Sequence, residues 1–217
     1  MMMRDDMSKT LADEGKLDRR DEILDMARDI IAETGFEGMS MSMLSARTGF
    51  SKGTLYSYVE TKEELFAELY VDALKNYLTH VMPHAAMDTA LTAEMFVAAK
   101  EVPLFLPLLA RQTTVIEEKL PRESLIAIKR AIAEQEERFA ARLVKTRGLS
   151  NRTAIELTQA LFVALQGASH LAAERPTEFD VLPEDIKAIY RHSDFDEAFA
   201  RTATMILRGA AAGTKLS

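Results

Sequence analysis

The sequence predicts an all-α chain, either one large helical domain or a small head with a larger helical body, and three observations carry that expectation. Gly and Pro are sparse, at 9 and 6 of 217 residues, so few positions interrupt a helix. Apolar residues recur at i, i+3 and i+4 along most of the chain, and the alternation of a half-buried strand is nearly absent. Apolar residues make up 47% of the chain, enough to bury the core of one large helical domain or of a head and a body.

Residues 1–16 are polar, mixed in charge and without a period, which reads as a flexible tail. A first helix is expected from about Leu17, with Ile23, Met26, Ala27, Ile30 and Ile31 as its apolar stripe. Gly35 stops it in the left-handed conformation that glycine tolerates. Ser40 can cap a short second helix, Gly49 separates it from a third, and Ser51 can cap the third. Thr61 and Glu64 form a capping box for a long fourth helix that carries Leu65, Phe66, Leu69, Tyr70, Leu74 and Tyr77 and ends near Pro83. Further helices are expected near 88–100, 102–118, 122–147, 151–174 and 194–209, punctuated by Pro121, Gly148 and the stretch Arg175–Pro183.

Composition narrows the function classes. Without Cys there are no disulfides or thiolate metal sites, which fits a reducing compartment. No apolar run approaches the roughly 20 residues of a spanning helix, and the start, MMMRDDMSKT, lacks the apolar core of a signal peptide. A soluble, cytoplasmic protein with no membrane partner is expected. The net charge of −7 argues against indiscriminate binding of polyanions, whose affinity comes from neutralised phosphates. Between Ser40 and Lys62, however, Arg47, Lys52 and Lys62 stand against Glu60 alone, three charges less one, a local balance of +2.

That same stretch carries a motif. From Gly35 to Leu65 the chain reads GFEGMSMSMLSARTGFSKGTLYSYVETKEEL. Two short helices separated by a tight turn at Gly49 are what a helix-turn-helix needs, because the turn sets the second helix across the first and lets it project into a major groove. Leu44 and Leu55 would be the buried contacts between them. Lys52, Thr54, Tyr56 and Ser57, left outside, are donors or aromatics suited to phosphates and base edges. A plain helical hairpin with Tyr56 and Tyr58 as half-buried core aromatics is the blander reading. The paired caps and the turn glycine weigh against it.

At these residues the sequence resembles the TetR family of regulators. The resemblance runs from the Arg19–Gly35 helix and Gly35-Phe36, through Gly49, to Ser51-Lys52-Gly53-Thr54-Leu55-Tyr56 and Lys62-Glu63-Glu64-Leu65. It implies a helix-turn-helix DNA-binding domain at residues 17–64 and a ligand-binding and dimerisation domain at 65–217. Within the head it implies that Lys52, Gly53 and Ser57 face bases, that Thr54, Tyr56, Tyr58 and Lys62 contact the DNA backbone, and that Ser40 and Ser42 lie near the groove edge. Three positions depart from the family: Ser45 stands for its usual Ala, Phe50 for Val and Val59 for Phe. The Ser45 hydroxyl is expected to bond back to the preceding turn of its own helix.

A head this small makes few phosphate contacts, so two copies on a two-fold operator are expected to share the binding. Ile155–Leu171 and Phe195–Leu207 are apolar on more than one face, as helices must be that meet both a core and a partner, although a monomer could bury them too. In the family the corresponding helices form a four-helix dimer interface, and Leu165-Gln166-Gly167 looks similar to that region. The expected partners are therefore double-stranded operator DNA and a second copy, joined through the helices near 151–174 and 194–209. A cavity for a small apolar or amphipathic ligand could be lined by Phe96, Phe105, Leu109, Arg111, Gln112, Ile116, Phe139, Phe162, Gln166 and His170. Most of these residue types more often form plain core, and Arg111 and Gln112 could instead reach solvent.

The resemblance implies a repressor released from a palindromic operator when ligand shifts the body and, through the helix beginning at Lys62, the heads. A body answering to a protein partner is the alternative, favoured by an interior lacking a cavity of roughly 300 Å³. An enzyme built on Glu117, Glu118, Glu134, Glu136 and Glu137 is the remote one, since such runs are normally solvated faces and no Cys or His group supplies a nucleophile or base. His80 and His84 have i,i+4 spacing, but Pro83 lies between them and no third ligand is evident. No catalytic residue, metal or cofactor is expected.

Overall fold

Local chemistry sets most helix ends. The computed structural model describes the backbone of residues 2–81, 88–173, 178–191 and 194–214, and side chains from Arg19 on except 88, 89, 114, 115, 189, 191 and 212–214 within those ranges. In chain order the helices are α1 (Met2–Gly38), α2 (Met41–Thr48), α3 (Lys52–Tyr56), α4 (Lys62–His80), α5 (Asp88–Glu101), α6 (Phe105–Arg111), α7 (Arg122–Arg147), α8 (Asn151–Ala173), α9 (Glu184–Arg191) and α10 (Phe195–Thr214). No strand occurs among the described residues. The chain divides into two compact units, residues 1–69 and 70–217, and the division falls inside α4 rather than at its start.

The first unit begins with a difference from the sequence reading. Helix α1 already includes residues 2–16, expected as a loose tail: Met, Lys, Leu, Ala and Glu are good helix formers and no Pro interrupts them, so propensity carries the backbone where no apolar stripe exists. Gly35 breaks the regular helix at φ 73, ψ 172, on the positive-φ side that favours glycine but in an extended rather than left-handed helical conformation. A last turn then continues to Gly38. Ile23, Ala27, Ile30, Leu44, Leu55, Val59 and Leu65 are each no more than 1% exposed and make the core of this unit. Phe36 meets Phe66 edge-to-face at 5.3 Å.

In the second unit α8 is the central helix, packing on α6, α7 and α10, while α5 packs on α10. An aromatic chain runs through it: Tyr77 stacks on Phe105 at 4.3 Å, Phe105 on Tyr70 at 6.4 Å, and Phe162 stands edge-on to both Tyr77 and Phe139. Beyond α4 its carbonyls are held from another helix. Arg142 of α7 donates to the carbonyls of Leu78 at 2.6 Å and Val81 at 3.4 Å, satisfying acceptors that no glycine cap supplies. Burial lowers the pKa of this guanidinium.

Two elements differ from the sequence reading here. The helix expected at 102–118 is three pieces: α6, a π-helical turn at Gln112–Ile116 and a 3₁₀ turn at Glu117–Lys119. Leu104, at φ 62, stands in the left-handed region just after Pro103 and delays α6, and β-branched residues from Thr113 to Ile116 weaken the α-helical ladder that would have continued it. Helix α9 was not anticipated, because eight residues give too short a period to read. No described helix is long and apolar enough to cross a membrane.

Candidate functional site

The head presents α3 on a scaffold of side-chain caps. Ser40 accepts from the Met43 amide at 3.3 Å and Ser51 from the Thr54 amide at 3.1 Å, so both predicted caps form. Thr61 accepts from the Glu64 amide at 3.0 Å, while Glu64 reaches back to the Glu60 amide at 2.7 Å, one residue before the cap itself. Gly49 takes φ 71, ψ 1, the left-handed conformation that closes α2.

The turn between α2 and α3 is tied by hydroxyls. Ser45 donates to the Phe50 carbonyl at 2.7 Å, spanning the turn instead of bonding back within α2 as expected. It can do so because the Gly49 bend brings the Phe50 carbonyl over the end of α2. Thr48 adds a second tie, accepting from the Phe50 amide at 3.3 Å. The departure from Ala at 45 thus fastens the two helices of the motif.

The candidate DNA-facing residues cluster on and around α3. Lys52, Gly53, Tyr56 and Ser57 are exposed, Tyr56 by 48%, a large value for an aromatic with no role in the unit's own core. Thr54 and Tyr58 are half-buried, with the Thr54 hydroxyl 2.9 Å from that of Ser51, and Ser57 donates to the Thr54 carbonyl at 2.6 Å. Gly53 is informative because the fold does not demand it: its φ is not positive, and a Cβ there would meet only Ser51 Oγ, at 3.8 Å. Ser42 is exposed on α2, and Ser40 is half-buried as its cap.

Electrostatics narrow this surface. Arg47, counted among the local cations, is held by both carboxylate oxygens of Glu33, one at 2.7 Å, and the hydrogen bond from Arg47 lowers the Glu33 pKa. Lys52 makes no ion pair among the described residues, and Lys62 lies 5.3 Å above the Phe66 ring. Behind the surface Arg20 pairs with Glu68 and donates to the Tyr58 carbonyl at 3.4 Å. Burial pushes the Glu68 carboxyl up to about 7, against the pull of Arg20.

In the second unit a cleft of about 500 Å³ opens between helices. Tyr70 of α4 lines it together with Leu109, Gln112 and Thr113 around the π-helical turn. Lys129, Ile132, Ala133 and Glu136 line it from α7, and Gln159, Phe162, Val163 and Gln166 from α8. Of the residues proposed from sequence, the structure brings Leu109, Gln112, Phe162 and Gln166 together here. Phe105, Ile116 and Phe139, no more than 1% exposed, are core instead, their rings and side chains enclosed on all sides. Phe96 stacks on Phe195 at 6.1 Å and lies under Lys100. Arg111 donates back to the Pro107 carbonyl at 3.1 Å, and His170 is half-buried on α8 and is not among the residues that line the cleft. The polar lining residues Lys129, Glu136 and Gln159 were missed because a single helix viewed alone shows them as solvated.

The remaining candidates are dispersed. Glu134 pairs with Arg138 on the surface, and Glu117 binds Lys129 at 2.7 Å. Exposed His80 has Nδ1 2.8 Å from the Asn76 carbonyl, whereas His84 and Pro83 lie outside the described residues. No group of three metal-ligating side chains occurs among the described residues.

Comparison with known proteins fits this arrangement. Residues 23–69 match the family model described as bacterial regulatory proteins of the tetR family, and residues 63–214 match the tetracyclin repressor-like C-terminal domain. The chain belongs to the TetR family. It is 32% identical over 59 residues to the HTH-type transcriptional regulator YhgD of Bacillus subtilis (strain 168), covering 27% of this chain and 31% of that one. Tetracycline repressor protein class D of Escherichia coli is 30% identical over 66 residues, 30% of either chain. The aligned part thus spans about a third of these curated relatives. A solved structure from Mesorhizobium loti MAFF303099, described as of a TetR-family transcriptional regulator, shares the fold at a TM-score of 0.52 and 17% identity, covering 89% of this chain and 96% of its own.

Proposed function

We propose that this TetR-family chain is a cytoplasmic, DNA-binding transcriptional regulator, a homodimer that represses from a palindromic operator until a small ligand enters the body cleft. The observation that carries the DNA half is α3: an exposed Lys52, an exposed Tyr56 and a glycine between them that the chain's own packing does not require. A glycine free of internal duty permits close approach of another backbone or base edge. In this reading the head is residues 17–64, Lys52, Gly53 and Ser57 face bases, Thr54, Tyr56, Tyr58 and Lys62 meet phosphates, and Ser40 and Ser42 border the groove.

Dimerisation is supported by what α8 and α10 leave uncovered. On α8 an i,i+4 stripe of Ile155, Gln159, Val163, Gly167 and Leu171 is exposed, with Val163 at 69%. On α10 Met205 is 68% exposed, and at both Gly167 and Gly209 a Cβ would meet nothing. Glycines standing open on helix surfaces let a facing helix approach closely. A two-fold dimer reads a palindrome. The body cleft, larger than the roughly 300 Å³ a small-molecule site needs, supports ligand control over control by a protein partner. Tyr70 lines the cleft on the same α4 whose first residues, Lys62–Leu69, belong to the first compact unit, so in this reading ligand acts through that helix. The repressing direction follows the name of the tetracycline repressor relative.

Selection of bound duplexes from a random pool tests the proposal. A palindrome is expected at moderate salt. Lys52→Ala alters the selected bases, whereas Lys62→Ala weakens all sequences alike and lowers the salt-dependence slope by about 1 per head. No enriched site, or both variants binding like wild type, would overturn it.

A further inference from the structure

We infer that the body cleft selects organic cations, bulky apolar molecules carrying one positive charge, and that Glu136 reads the charge. The inference rests on the reading of this cleft as the sensing site. Two charged side chains line it, Lys129 and Glu136. Lys129 Nζ lies 2.7 Å from Glu117 Oε1, and that carboxylate also accepts from Gln112 Nε2 at 2.8 Å, so the positive charge is already matched. Glu136 is half-buried and makes no hydrogen bond or ion pair among the described residues. Burial raises its pKa, opposed by Lys129.

The surroundings add to this asymmetry. A narrower hollow of about 140 Å³ between α7 and α8 shares Ala133, Glu136 and Gln159 with the cleft and adds Glu137, a second carboxylate, beside Ile155. Tyr70 and Phe162 offer aromatic lining, with Leu109 and Ile132 as apolar wall. A partly desolvated carboxylate that has no hydrogen bond or contact ion pair among the described residues, and only the more distant charge of Lys129 to oppose its burial, is costly, and a neutral ligand would bury it further at no compensation. An anion would meet Glu136 directly while Lys129 remains engaged. A cation resolves the mismatch, gaining the carboxylate in a cleft that Tyr70 and Phe162 also line.

Calorimetric titration of the full chain with tetraphenylphosphonium and with tetraphenylborate, of like shape and opposite charge, tests the inference. The phosphonium is expected to bind about tenfold or more tightly than the borate, and Glu136→Gln to reduce that affinity about fivefold or more without lowering the melting temperature. Lys129→Met, which releases Glu117, is expected to strengthen phosphonium binding, whereas a site built on Lys129 for anions would lose affinity. Equal or tighter borate binding, no phosphonium binding, or an unchanged Kd in a folded Glu136→Gln variant overturns the ligand class. Operator release is measured separately by fluorescence anisotropy: phosphonium that binds in a Glu136-dependent way without releasing DNA sinks the sensing role and leaves the ligand class standing.

Discussion

Gly53→Ala separates what the fold needs at α3 from what DNA needs. The added Cβ meets only Ser51 Oγ, at ordinary van der Waals distance, and the backbone there is helical with φ negative. Replacing a helical glycine by alanine removes unfolded-state freedom and stabilises by between about 0.5 and 1 kcal/mol, the lower figure applying near a helix start. For a chain of this length that is a rise in melting temperature of about 1–4 °C. If Gly53 is glycine because DNA comes close, the same methyl removes one contact per head, on the order of 1 kcal/mol each. Twice over in a dimer that is about 2 kcal/mol, roughly a thirtyfold rise in the operator Kd. Calorimetric melting and anisotropy titration at one fixed salt concentration read the two effects. A lower melting temperature would show that glycine serves the fold, and unchanged operator affinity in a stabilised variant would show that nothing approaches α3 there.

Three further outcomes are expected. The Glu68 carboxyl titrates near 7 in the folded state, so the folded chain holds more protons than the unfolded one above the ordinary 4.5. Stability therefore falls as pH rises from about 5 to about 8, by at most about 3 kcal/mol, and Glu68→Gln flattens that slope in denaturant melts; a wild-type profile already flat would refute the assignment. The Tyr77 hydroxyl is fully buried without a hydrogen-bond partner among the described residues, so Tyr77→Phe should raise the unfolding free energy by about 1 kcal/mol, and a loss would reveal a partner such as internal water. Gly167→Glu places a carboxylate on the open stripe of α8 without a clash inside the chain. Sedimentation should then report the 24.2 kDa chain mass where wild type reports about twice it; an intact dimer would move the interface elsewhere.

The head was legible because its determinants are local. A cap such as Ser51 acts on an amide three residues away, and Gly49 sets its own φ, so both can be read from a few consecutive letters. Ser45 shows where that ends: its hydroxyl has an acceptor in its own helix and another across the turn, and only the geometry of the turn decides between them. The cleft was harder. Apolarity singles out Phe105 and Phe139, but apolarity is also what the core requires, and both rings are buried. Lys129 and Glu136 read as solvated charges along α7, because the walls that enclose them come from α4, the π-helical turn and α8, far away in sequence. The π-helical turn itself has no periodic signature beyond a short β-branched stretch.

Arg142 gives the body a handle that substitutions in α4 cannot easily remove. It sits on the same helix as Ile132 and Glu136 of the cleft, and it grips the chain at the end of α4 by main-chain carbonyls alone. Every residue type offers the same carbonyl, so the surface of α4 can drift without loosening that grip. A movement of α7 of a fraction of an ångström would be felt at Leu78 and Val81 whatever side chains stand there. If the cleft senses ligands as proposed, a linkage made to backbone would tolerate a changing ligand repertoire: the cleft walls could be rewritten for new molecules while the connection from α7 to α4 stays in place.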